Sequence, residues 1–333
     1  MKKLASIVTL LAMVLAITMS VGVGAATWPT KPINIIVPWG PGGASDLAAR
    51  TLAVEMEKVL GQRIAITNTP GASGAIGTRA MFDAPRDGYT WSGNADGSIA
   101  TYQILEYLAD ISHRDYAAFL TLFTPNVIAV PANSPYKDFP ELLEAMKTKT
   151  ITAATAGVGS GGHVAAELMK KHAGVNYRHV PYQGGAPAVT ATVQGEVDMV
   201  PQLSMEVTEM LRAKQLRALV VFDSEPLVVE GYGEIPPVTN WLPDFPSVGM
   251  YFGLFIPKGI PEAAMERITE AFIIASEAES TRNFIAERGS KAVSIHGKEA
   301  DELMERVASQ LAWLHYEAGT AKVSPEKFGI PKP

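Results

Sequence analysis

The chain has 333 residues, enough for two domains at roughly 100–200 residues each. Hydrophobic residues make up 47% and charged residues 19%, a core-forming composition that excludes a disordered or coiled-coil chain. A net charge of −6 with no basic run argues against nucleic acid as a partner, and the lack of any cysteine excludes disulfide frameworks, thiolate metal sites and cysteine nucleophiles.

Met1-Lys2-Lys3 forms a short basic start, followed by an apolar stretch from Ile7 to Met19 and small residues up to Ala25-Ala26. This layout predicts a secretory signal peptide over 1–26, cleaved near Ala25 or Ala26, and a periplasmic mature protein. The alternative, an uncleaved anchor, meets an apolar core shorter than the ~20 residues a spanning helix needs. Asn34–Val37 then reads as a buried strand that runs into Pro38-Trp39-Gly40-Pro41-Gly42-Gly43. A helix follows, with Ser45 or Asp46 as its cap, Leu47, Leu52, Met56 and Leu60 on one face, and Gly61 as its stop. Ile64–Thr67 and Tyr89–Ser92 read as further strands, separated by the turn Thr69-Pro70-Gly71-Ala72-Ser73-Gly74.

The rhythm restarts at Val127–Val130. Asp138 and Glu141 have capping spacing ahead of a helix to Lys147, and the strand Ile151–Ala154 enters a second glycine loop, Thr155 to Gly162. A helix from His163 to Ala173, strands at Tyr177–Val180 and Leu216–Phe222, and a helix over Ala186–Gln194 continue the pattern. Tyr251–Ile256 is an apolar strand, and Pro261–Glu279 and Lys298–Ala318 are long amphipathic helices. The expected fold is α/β with two lobes, each a mostly parallel sheet flanked by helices. The chain would cross between lobes near Phe123–Val130 and Tyr251–Pro257, and the C-terminal helices would return to the first lobe. Such lobes close on a small ligand like a hinge.

Gly157, Gly159 and Gly162 fit a dinucleotide fingerprint, but no carboxylate stands about twenty residues on, and an exported protein meets no nicotinamide pool. What survives is the anion affinity of free N–H groups at a helix start, offered by this loop and by Gly42-Gly43-Ala44. Six histidines show no metal spacing, and Gly71-Ala72-Ser73-Gly74-Ala75 lacks the last glycine of a nucleophile elbow. No catalytic, metal or cofactor residue is assigned, and an enzyme acting on a small organic acid is the weaker alternative. His163 ties loop to helix or touches the ligand. Asp46 organises its loop, Trp39 packs in the core or covers a ligand's carbon chain, and Tyr182 stands at a strand end, where open α/β sheets bind ligands.

Trp28-Pro29-Thr30-Lys31-Pro32-Ile33, Val37 through Asp46, Asn68 through Gly74 and Pro85-Arg86-Asp87-Gly88-Tyr89-Thr90 resemble the Bug-type substrate-binding proteins of tripartite tricarboxylate transporters. The similarity resumes in Gly159-Ser160-Gly161-Gly162-His163, His179 through Pro187, Gly195-Glu196-Val197-Asp198, Leu216-Arg217-Ala218-Leu219 and Ile256 through Pro261. The resemblance implies a type II-like periplasmic receptor that delivers a di- or tricarboxylate, or a related organic acid, to integral-membrane permease subunits. It further implies a monomer without cofactor, divided as lobe one (27–126), lobe two (127–252) and a return to lobe one (253–333). The ligand residues it implies are Trp39, Gly42, Gly43, Ala44, Ser45 and Asp46; Asn94 and Asp96; Thr155, Gly157, Ser160, Gly161 and His163; and Tyr182, Gly184, Gly185, Ala186 and Gln202. Two positions depart from the family pattern: Trp39-Gly40 replaces an aromatic-proline pair, and Gln202 replaces a frequent acid. The missing acid argues against an amino-acid ligand that needs an ammonium partner.

Overall fold

Alternating burial of Ile33, Ile35 and Val37 makes β1 (Ile33–Val37) a strand with one face in the core. The structure, a computed structural model, describes residues 28–333, so the expected leader and its cleavage site lie outside the described residues. Helix α1 (Ala44–Leu60) buries Leu52, Met56 and Leu60 and stops at Gly61, whose left-handed φ of 65° only glycine adopts without strain. Neither Ser45 nor Asp46 is its cap residue. The helix starts at Ala44, and Asp46 reaches back instead to the N–H of Gly42 at 3.0 Å. β2 (Ile64–Asn68), α2 (Ala75–Phe82), β3 (Thr90–Ala95) and the short α3 (Asp96–Thr101) complete the first block. β2 and β3 flank β1 in parallel.

The next strand is far longer than the expected Val127–Val130. β4 runs from Tyr116 to Pro131 and is buried along most of its length. Helix α4 (Phe139–Thr148) follows, its first turn held by Asp138, which accepts from the Glu141 N–H at 2.9 Å. β5 (Ile151–Thr155), α5 (Gly161–Ala173), β6 (Tyr177–Pro181), α6 (Gly185–Val193), β7 (Val200–Leu203), α7 (Ser204–Arg212) and β8 (Leu216–Val221) build the second block. Here β5 and β6 pair in parallel. Asp198 fixes the approach to β7 by accepting from both the N–H (2.8 Å) and the hydroxyl (2.7 Å) of Thr152. A small hairpin, β9 (Leu227–Val229) and β10 (Gly233–Ile235), precedes β11 (Gly249–Pro257).

The last third holds α8 (Glu262–Glu277), α9 (Glu279–Glu287), β12 (Lys291–Ile295) and α10 (Gly297–Glu317). Sequence periodicity joined α8 to the next two residues; an extended Ala278 (ψ 137°) breaks the chain there into two helices.

One eight-stranded mixed sheet takes in strands of both lobes, with β5-β6 and β9-β10 as separate two-stranded sheets. Parallel pairing holds at β2-β1-β3 and β5-β6, but the strands that cross between lobes pair antiparallel. The first half of β4 pairs with β11 and β12, and its second half with β7 and β8. A register shift between Phe252 and Gly253 lets β11 bend, and a Cβ on Gly253 would collide with the Phe119 carbonyl. One core gathers Ile35, Val37, Leu52, Leu254 and Phe272; another gathers Ile128, Phe139, Met169 and Phe222. Helix α10 serves more than the first lobe: Leu303 and Met304 pack with Ile99 and Tyr102, while Leu314 enters the core of the second lobe.

Candidate functional site

Three helices begin at one cleft between the lobes. α1 starts at Ala44, α5 at Gly161 and α6 at Gly185, and their cap residues Gly43, Ser160 and Gly184 make no side-chain cap bond. Their first N–H groups and the positive ends of their dipoles therefore face a common space. That space is walled by Trp39, Leu203, Met250 and Phe252 and by small residues of the loops. Among the described residues, no lysine or arginine lines it. The space therefore offers an anion backbone N–H groups and no ion-pair partner.

Of the residues the sequence singled out, Trp39, Gly43, Ala44 and Ser45 line the cleft from the first lobe, and Ser160, Gly161, Gly185 and Gln202 from the second. Trp39 keeps its place through Nε1, which donates to Asn94 Oδ1 at 3.4 Å. Asn94 itself is fully buried behind it, its amide donating to Thr78 Oγ1 at 3.1 Å. Asp46 turns away from the cleft. Burial pushes its carboxyl up, but Arg50, the Gly42 N–H and the Asn68 amide together hold it below the ordinary range. Gly42 supplies the loop's left-handed turn at φ 80°, and Gly43 is extended at φ −76°. Glycine's backbone freedom is thus used at Gly42 and not at Gly43.

The glycine loop of the second lobe is braced by its own side chains and by neighbours outside the cleft. Thr155 Oγ1 lies 2.6 Å from His179 Nε2 and accepts from the Gly157 N–H at 3.1 Å. Ser160 Oγ donates to the Gly157 carbonyl at 2.7 Å. His163 Nδ1 accepts from the Gly159 N–H at 3.2 Å, which ties loop to helix. Burial, with His179 and His315 nearby, pushes the His163 ring down to about 3, so it is neutral. Tyr182 and Ala186 border a shallow outer depression, where the Tyr182 hydroxyl donates to Glu196 at 3.2 Å. Gly184 lies against the backbone of Gly40 across the lobes. Asp96 faces a separate groove behind the cleft; burial raises its carboxyl to about 7.

The structure adds residues that no motif indicated: Ala95, Ala156 and Ser98 within expected loops, and Leu203, Met250, Phe252 and Glu206 outside them. Glu206 is the chemically informative one. It stands in the first turn of α7, and its Oε1 accepts from the Ala44 N–H at 2.7 Å across the cleft. Its Oε2 is buried with no partner among the described residues, and burial raises the carboxyl to about 7. The absent acid at Gln202 therefore does not leave the cleft without a carboxyl, and the argument against an ammonium-bearing ligand loses its ground. Gln202 belongs to β7 and Glu206 to the first turn of α7, so no helical spacing links the two and no motif in the sequence points to Glu206. Among the described residues, no group of three His, Asp or Glu side chains could hold a metal ion.

The chain is 34% identical over 248 residues to the UPF0065 protein in the tcbD-tcbE intergenic region of Pseudomonas sp. strain P51, covering 72% of each chain. Its fold matches the periplasmic binding protein BugD with a TM-score of 0.82 at 24% identity, over 88% of this chain and 99% of that one. MatC from Rhodopseudomonas palustris, solved with bound malate, matches with a TM-score of 0.77 at 25% identity, over 86% of this chain and 99% of MatC. Residues 48–313 match the family model described as the tripartite tricarboxylate transporter family receptor. The chain belongs to that family, which is one of solute receptors and not of enzymes.

Proposed function

We propose that this protein is a periplasmic receptor that binds a small organic carboxylate in the cleft between its lobes and delivers it to the membrane subunits of a tripartite tricarboxylate transporter. The observation that carries this reading is the convergence of three helix starts, at Ala44, Gly161 and Gly185, on a space with no cationic side chain among its lining residues. Malate in MatC supports a carboxylate as the ligand class. The basic and apolar N-terminal segment supports export, and the chain acts as a monomer. The lobes divide as 27–126 and 127–252 with a return over 253–333, in keeping with the change of β4 partners between Pro125 and Asn126.

Thermal unfolding of refolded, ligand-stripped protein against a panel of organic acids tests the reading. A bound acid at 100 times its dissociation constant stabilises the fold by about 2.7 kcal/mol. Mass spectrometry recovers that acid unchanged; a converted product would make the protein an enzyme. A panel in which no acid raises the melting temperature would remove the carboxylate assignment.

A further inference from the structure

We propose that Glu206 sets the specificity of the cleft, selecting a ligand with one carboxylate and, at its other end, a protonated nitrogen that donates to Glu206 Oε2. The inference rests on the carboxylate-receptor reading and narrows it.

Three observations carry it. First, one of the three helix starts is already taken: the Ala44 N–H donates to Glu206 Oε1 at 2.7 Å, so the protein's own carboxyl occupies an anion seat. The same carboxyl packs against Gly185 at the start of α6, so the start of α5 at Gly161 is the one left for a ligand carboxylate. Second, Glu206 Oε2 is out of contact with solvent and unpartnered among the described residues. A buried acceptor without a donor is unfavourable, and a ligand N–H relieves it. Third, the lining holds this one carboxyl and no cation. A second ligand carboxylate would face like charge in a cleft of low polarity, with Trp39, Met250 and Phe252 around it.

The groups near Glu206 leave it as the titrating element. On the facing α1, Asp46 is paired with Arg50. On its own helix Glu209 pairs with Arg212 and lies 3.7 Å from Arg288. α6 and β7 carry no titratable residue, Tyr116 is the only one on β4, and Arg217 on β8 is bonded to the carbonyls of Tyr136 and Ala132. Burial places the Glu206 carboxyl at about 7, so it is mostly ionised at pH 8 and mostly protonated at pH 6.

Calorimetric titration compares 4-aminobutyrate with succinate, 5-aminopentanoate with glutarate, and 6-aminohexanoate with adipate, on the wild-type protein and on Glu206→Gln. At pH 8 the best-fitting amino acid binds wild type at least about tenfold tighter than the dicarboxylate of equal length, the scale of one charge-assisted hydrogen bond. In Glu206→Gln the preference shrinks to within about threefold or reverses. Wild-type protein alone gives the second readout: lowering the pH from 8 to 6 weakens the amino acid and strengthens the dicarboxylate. Equal or tighter dicarboxylate binding by wild type at pH 8, a preference that survives the substitution, or a ratio indifferent to pH overturns the role of Glu206 and leaves the receptor reading standing. If no acid of either series binds, and none in the wider panel does, both fall.

Discussion

Glu206 sits so close to Gly185 that a Cβ on that glycine would collide with its carboxyl. Gly185→Ala should therefore destabilise the protein by about 1–3 kcal/mol, the usual range for overpacking. Combined with Glu206→Ala the loss should largely disappear, because the carboxyl that blocks the methyl group is gone; urea denaturation of the two single variants and the double variant measures this. The carboxyl also makes stability depend on pH. Its value rises from 4.5 when exposed to about 7 in the fold, so above pH 7 the fold carries a buried charge that the unfolded chain does not. As the pH falls from 7 towards 4.5, the folded protein takes up the proton first and the penalty vanishes. Glu206→Gln should then be more stable than wild type by up to about 3 kcal/mol at pH 8 and nearly equal at pH 5. A gap that stays constant with pH would point to packing, not charge. At Gly43 a side chain meets Glu206 as well: a Cβ there lies 3.1 Å from Oε1. Gly43→Val should abolish ligand binding while circular dichroism shows an intact fold, since the extended backbone of Gly43 accepts any residue.

Among the elements, α5 and α10 are joined by an aromatic stack in which the His163 ring lies 4.5 Å from that of His179 and 5.8 Å from that of His315. His315 is fully buried with both ring nitrogens unpartnered among the described residues, and burial lowers it to about 4. Because the folded value lies below the unfolded 6.5, only the unfolded chain takes up the proton between those values, and stability falls as the pH drops through that window. His315→Leu should remove this term, gaining about 2 kcal/mol more at pH 5 than at pH 7.5 in thermal or urea unfolding. The sequence announced elements wherever a local signal ended them: Gly61 closes α1, Gly174 closes α5 and Asp138 opens α4. It concealed β4, because Ala117 to Phe123 is an apolar run interrupted only by Thr121, without alternation, and Thr124-Pro125-Asn126 reads as a break inside what is one continuous strand. The break at Ala278 was equally silent, since no glycine or proline marks it. Glycine loops of the cleft were legible because anion seats and tight turns need the same residue. Met250, Phe252 and Glu206 were not, as they come beside the loops only once β11 and α7 are placed by the fold.

At the scale of the whole molecule, the two lobes meet through their loops. The Cβ of Ala186 stands 3.9 Å from where a Cβ on Gly42 would lie, within the range that a disulfide spans. With no native cysteine to compete, Gly42→Cys with Ala186→Cys should lock the cleft shut when oxidised, despite strain at the positive φ of Gly42. Exchange of a bound acid, followed by equilibrium dialysis against labelled ligand, should stop in the oxidised protein and resume on reduction. Exchange at an undiminished rate would mean that ligand enters without separation of these loops.

The passage between lobes is itself a structural strand. At Asn126 the N–H donates to the Val248 carbonyl, the Val248 N–H to the Phe222 carbonyl, and the Phe222 N–H to the Asn126 carbonyl, each at 2.8 Å. β4 pairs with β11 and β12 on one side of this triangle and with β7 and β8 on the other. A joint of this kind has no slack. Where a loose tether would let the halves drift, a strand pinned on both sides is expected to yield by twisting, as a torsion bar does, which would tie the orientation of the mouth to the state of the cleft.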